Sequence, residues 1–155
     1  MIINRSFKEF KFRHRSKKNQ IIYTSKKIRN DDDVTNLIDN FLVEKNSFIF
    51  ESVEKGKIKG RYTIFGKDPD KIWEFNNKNS YLIKNKNKFK LSKKPSELIE
   101  KIIEEFKFEI PSSLPPISSL ISGYFSYDSI RYIEKISNTC KDDLKIPDVR
   151  LLRPR

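Results

Sequence analysis

From residue 47 to residue 91 no apolar run exceeds three residues before a polar or turn-forming residue cuts it. A stretch broken this often fits short strands joined by turns rather than helices of ordinary length. Residues 47–53 read as a strand with apolar side chains on both faces until Glu51 and Ser52 interrupt it, which places it inside a sheet. A turn with Gly56 and Gly60 follows, and residues 61–66 return as the second arm of a hairpin. Asp68-Pro-Asp70 turns the chain again, and residues 72–75, 81–83 and 88–91 continue as a meander. Strands joined by such short connections pair antiparallel, so the sheet is expected to be mostly antiparallel.

Helical periodicity flanks this region. Asp31, Asp32 and Asp33 offer N-cap oxygens ahead of Val34, Leu37, Ile38, Phe41 and Leu42, an amphipathic spacing that predicts a helix ending near Lys45-Asn46. A second helix is predicted from Lys94-Pro-Ser96, burying Leu98, Ile99, Ile102, Ile103 and Phe106. The first 30 residues read as short extended segments, with 20–24 the best strand. After a Pro- and Ser-rich connection, residues 117–127 read as a buried strand running into a turn, with Asp128 capping a short helix through Arg131 and Glu134. Gly123 suits close backbone approach, and Tyr124 and Tyr127 are expected in the core. Residues 141–155 begin polar and turn apolar as if entering a further strand, and the phrase breaks off there, which suggests truncation. The class is α+β, a mostly antiparallel sheet with packed helices, in one domain or most of one.

The formal charge of +12 raises the question of a polyanionic partner. Lys is scattered along the whole chain, and the two densest segments, 8–18 and 84–90, match no RNA-binding signature. A solvated basic surface is the preferred reading over a nucleic-acid site. No apolar stretch reaches the roughly 18 residues of a membrane span, and the first 15 residues lack the apolar segment of a signal peptide, so a cytoplasmic location is expected. With one cysteine, Cys140, and one histidine, His14, a Cys- or His-based metal site is not expected. No generic catalytic motif is present.

Three longer phrases carry more. Phe48-Ile-Phe-Glu-Ser-Val-Glu-Lys-Gly-Lys-Ile-Lys-Gly-Arg-Tyr-Thr-Ile-Phe-Gly-Lys-Asp-Pro69 resembles the pattern that marks the N-terminal region of anthranilate synthase component I. Ile121-Ser-Gly-Tyr-Phe-Ser-Tyr-Asp-Ser-Ile-Arg-Tyr-Ile-Glu134 resembles that family's glycine-containing strand followed by tyrosine, aspartate, arginine and glutamate, and Leu144-Lys-Ile-Pro-Asp-Val-Arg-Leu-Leu-Arg-Pro154 resembles the segment leading toward its catalytic domain. Phe50, Lys55 and Ser126 depart from the family's usual residues, the first replacing one apolar side chain by another and the others touching local turn geometry.

The resemblance implies that residues 1–155 are an incomplete part of that fold, its N-terminal regulatory region, without the chorismate-binding domain. The parent enzyme, a lyase acting on chorismate, would make anthranilate and pyruvate from chorismate and glutamine-derived ammonia in tryptophan biosynthesis, with a glutamine amidotransferase subunit, component II, as partner. It implies a tryptophan feedback site at Glu51 and Ser52, with Arg61 nearby, and no catalytic residue in this part; Mg2+ would belong to the missing domain. Residues 1–155 alone would then be inactive and would bind tryptophan weakly. Two alternatives stand beside it: the N-terminal region of aminodeoxychorismate synthase component I, and a stand-alone basic nucleic-acid-binding module.

Overall fold

The computed structural model describes residues 2–3, 5–17, 20–27, 30–51, 62–77, 79–106 and 110–154. Their elements confirm an α+β fold whose sheets are antiparallel throughout.

The N-terminal segment departs from expectation. Residues Phe7–Arg15 form a helix, α1, where extended chain was predicted. Ser6 starts it with a capping box: its hydroxyl accepts from Glu9 N (3.3 Å), and the Glu9 carboxylate accepts from Ser6 N (3.0 Å). The Ser6 backbone N–H, and after it the Ser6 hydroxyl, which also donates to this carboxylate (2.9 Å), hold the Glu9 carboxyl below the ordinary glutamate range. Phe7 stacks on Phe10, and Phe10 on His14, along one side of the helix. Among the described residues here, Ile2–Ile3 (β1) and Thr24–Ser25 (β2) pair as strands, and residues 20–23 do not.

Helix α2 spans Asp31–Leu42, with Asn30 at the N-cap position; the three aspartates lie in its first turn, where the helix dipole favours negative charge. It stops before the predicted end. Asn46, with φ 66°, then takes a left-handed conformation that asparagine tolerates and turns the chain into the next strand.

That strand, β3 (Phe48–Glu51), pairs antiparallel with β4 (Thr63–Gly66), from Phe48 opposite Gly66 to Glu51 opposite Thr63. The predicted hairpin partners are correct, but the expectation that β3 lies inside a larger sheet is not: among the described residues β3 and β4 form a two-stranded ribbon of their own, and Phe50 is exposed.

The main sheet has the order β7-β6-β5-β9-β8. The meander β5 (Lys71–Asn76), β6 (Asn79–Lys84) and β7 (Asn87–Leu91) lies where the sequence placed it. Strand β9 (Val149–Arg153) inserts beside β5, and β8 (Ser122–Phe125) pairs on its far side. Facing residues in the register share a side of the sheet, so Trp73, Phe75, Val149, Leu151 and Leu82 line one face.

Helix α3 (Pro95–Glu105) covers that face with Leu98 and Ile102, and Pro95 sits at its first turn, where a missing N–H is harmless. Ile103 was expected in this stripe but is 55% exposed, against 3% for Ile102. One residue further along rotates a side chain by about 100°, which carries Ile103 past the edge of the contact.

Residues 117–127 give a second correction. A 3-10 turn occupies Pro116–Ser118 and only Ser122–Phe125 form strand, at the sheet's edge, followed by a 3-10 turn at Tyr127–Tyr132. Tyr124 and Tyr127 are therefore not core residues; they are 39% and 87% exposed. Asp128 does not cap this turn, whose N-cap position is Ser126; it pairs instead with Arg131 (2.8 Å). Gly123 meets its expectation, since a Cβ there would lie 2.0 Å from the Arg150 carbonyl oxygen.

Three substitutions test this packing. Gly123→Ala must push β8 off β9 and is expected to lower unfolding free energy by about 1–3 kcal/mol or more. Ile102→Ala should cost about 2–5 kcal/mol, while Ile103→Ala should stay within about 1 kcal/mol. Urea denaturation of each variant reads all three.

Candidate functional site

The ribbon β3–β4 carries one of the three residues proposed from the sequence. Glu51 ends β3 opposite Thr63 and is exposed. No burial cost therefore attends this polar residue. Ser52 and Arg61 lie outside the described residues.

The other end of the same ribbon borders a cleft of about 480 Å³. Gly66 brings the ribbon close to the end of β9: a Cβ on it would sit 2.7 Å from the Phe48 ring and 2.8 Å from Pro154 Cβ. The cleft is walled by Phe48, Phe65 and Phe106 and edged by Asp70, Glu105 and Arg153. Arg153 binds the Asp70 carboxylate through two nitrogens, Nε at 2.5 Å and Nη2. That hydrogen bonding raises the guanidinium pKa further, against the opposing effect of burial, and keeps the charge fixed. Lys71 approaches Glu105 at 3.9 Å. Glu51 is not among the lining residues. Three residues of strand separate it from Phe48, about 10 Å, so the cleft and the sequence-proposed site sit at opposite ends of β3.

On the sheet face away from α3, Glu74 takes two cations: Lys88 Nζ at 2.7 Å and Arg150 Nε at 3.2 Å. Arg150 also donates to Asn46 Oδ1 (2.7 Å), which ties the turn before β3 to the main sheet. The register places Tyr124 opposite Arg150, and partial burial raises the Tyr124 pKa.

Sequence reading missed Asp148. Its carboxylate accepts from Asn77 N (2.5 Å) and from Tyr132 Oη (2.7 Å), its backbone N donates to Phe75 O (2.8 Å), and its carbonyl accepts from Ser126 N (2.7 Å). One residue so joins the β5–β6 turn, the end of β8 and the following 3-10 turn. Its position just before an apolar strand was the only available signal. Burial, and then the hydrogen bond to Asp148, push the Tyr132 pKa well above the ordinary tyrosine value.

Among the described residues no group of three or more His, Cys, Asp or Glu is placed to hold a metal ion, and no helix is long and apolar enough to cross a membrane. His14 stacks on Phe10 in α1, and Cys140 is exposed.

No family model matches the chain. It is similar to anthranilate synthase component 1 of Cereibacter sphaeroides, at 32% identity over 154 residues, which is 96% of this chain and 31% of that protein. Anthranilate synthase component 1 of Acetivibrio thermocellus is 34% identical over 106 residues, 68% of this chain and 22% of that protein. The chloroplastic anthranilate synthase alpha subunit 2 of Arabidopsis thaliana is 35% identical over 118 residues, 68% of this chain and 19% of that protein. The chain is thus similar to the N-terminal part of anthranilate synthase component 1 proteins over most of its own length, and it spans about a third or less of the length of these relatives.

Tyr132→Phe removes the hydroxyl that donates to Asp148 and is expected to cost about 1.5–3 kcal/mol at neutral pH, the range for hydrogen bonds involving a charged group. Because folding raises the tyrosine pKa, this contribution is complete below the unfolded tyrosine value of about 10 and is lost as pH rises beyond it. Denaturation midpoints measured from pH 7 to 11 should fall more steeply in the wild type than in Tyr132→Phe.

Proposed function

We propose that residues 1–155 form the N-terminal regulatory region of an anthranilate synthase large subunit and carry its tryptophan feedback site, while the chorismate chemistry resides in polypeptide outside these residues. The similarity to anthranilate synthase component 1 over 96% of the chain supports this reading most strongly. The complete polypeptide, in the cytoplasm, would form anthranilate and pyruvate from chorismate, with ammonia supplied by a glutamine amidotransferase subunit. Mg2+ would belong to the polypeptide outside these residues, and no step is derived through it.

Tryptophan would bind at the Glu51 end of the ribbon, with Ser52 hydrogen-bonding the amino acid, Glu51 positioning its ammonium group or the adjoining loop, and Arg61 near its carboxylate. Exposure of Glu51 leaves it available to a ligand. Inhibition then requires tryptophan to bind a less active state more tightly than the active one, because only differential affinity shifts the equilibrium.

The test is tryptophan inhibition of anthranilate formation by the full-length subunit with ammonia as nitrogen donor. Ser52→Ala is expected to raise the half-inhibiting tryptophan concentration about tenfold, equivalent to about 1.4 kcal/mol of lost affinity. An unchanged inhibition curve removes Ser52 from the site, and no anthranilate formation by the wild type sinks the whole reading.

A further inference from the structure

The two edges of the main sheet are treated differently by the sequence. At the β7 edge, Lys88 and Lys90 punctuate the strand and Lys86 precedes it, the kind of charge that keeps an open edge from pairing. At the β8 edge there is no such guard. Residues 110–127 contain no charged residue, in a chain that is 35% charged.

The backbone at this edge is open. Ser126 N bonds Asp148 O, and the register pairs Tyr124 with Arg150 and Phe125 with Val149. Antiparallel alternation therefore turns the N–H and C=O of Tyr124 toward β9 and those of Gly123 and Phe125 outward. No hydrogen bond to these outward groups is formed among the described residues. Aromatic side chains flank the edge on both faces. Phe125 shares the side of buried Val149 yet is 59% exposed, and Tyr124 lies on the Arg150 side and is also exposed. A body resting on one face would cover one of these rings. A strand added beside β8 covers both and takes up the outward N–H and C=O groups at once.

We propose that β8 is a strand-acceptor edge and that its occupant is a β-strand of the same polypeptide from outside residues 1–155. This rests on the reading of the chain as part of a longer subunit. Two observations favour that occupant over a second copy of the chain. The C. sphaeroides relative is about three times as long as the aligned region, so a donor strand is available at high effective concentration. A second copy would bring another +12 of charge against the first.

Hydrogen exchange on the full-length subunit, resolved by residue, tests this. The Tyr124 and Ser126 amides, held by β9, are the internal standard and should be slow. The Gly123 and Phe125 amides are expected to be slowed by a comparable factor, on the order of a hundredfold or more over free chain. Gly123 and Phe125 amides exchanging at the free-chain rate while Tyr124 and Ser126 stay slow would overturn the proposal. Protection that vanishes on dilution together with a fall from dimer to monomer mass would overturn it in favour of a second copy. A paired substitution supplies a second readout: Phe125→Pro, which deletes the outward N–H, should lower Tm well below that of Phe125→Ala, and equal Tm values would count against an added strand. Anthranilate formation by the same wild-type preparation reads the functional proposal separately, so either can fail alone.

Discussion

The main sheet depends on one non-local pairing, that of β9 with β5. The meander β5–β6–β7 needs only short turns, but its inner side must be closed by a strand more than 70 residues further along. Two kinds of interaction hold that strand, and their magnitudes differ. Burial of Val149 and Leu151 against Trp73, Phe75 and α3 supplies on the order of 1.5–3 kcal/mol for each side chain. The part-exposed pairs Arg150–Glu74 and Arg153–Asp70 are worth about 1 kcal/mol or less apiece once solvent screening is allowed for.

Burial and the polar pairs set the register together. A slip of β9 by one residue would turn Arg150 toward α3 and Leu151 away from it, and would separate both arginines from their carboxylates. Asp148 reinforces the choice at the strand's start with hydrogen bonds to the β5–β6 turn and the 3-10 turn, and Gly123 lets β8 approach where a side chain could not. Apolar burial thus drives β9 into place, and the same burial together with polar partners decides where it stops.

This dependence on distant partners explains what the sequence could disclose. Local signals found α2, α3, the hairpin arms and the meander, because turn residues and apolar period act within a few residues of one another. Helix α1 was legible too, in Ser6 and Glu9 three residues apart, but its lysines and aromatics resembled an extended basic segment. Tyr124 and Tyr127 misled because aromatic character predicts burial only when something packs over it, and at the β8 edge no described residue does. Asp148 could not be singled out, since its partners Asn77 and Tyr132 are brought to it by the fold. Of the proposed ligand site, Glu51 falls in β3 as the sequence placed it, while its exposure follows from β3 standing, among the described residues, in a two-stranded ribbon, which no local pattern encodes.

The same structure bears on the chain's positive charge. Cations around the main sheet and ribbon face carboxylates: Lys67 and Glu44, Lys71 and Glu105, Lys88 and Arg150 with Glu74, Arg153 and Asp70. Helix α1 has the basic and aromatic composition of a nucleic-acid contact, but the rings along one side of it, Phe7, Phe10 and His14, stack on one another rather than standing apart as separate platforms for bases. Positive charge here is spread over solvated surface, and the departure from that pattern is the uncharged run ending at β8. In so charged a chain, an edge strand without a guarding lysine is a region shaped for contact, and contact through backbone hydrogen bonds is what an unguarded edge offers.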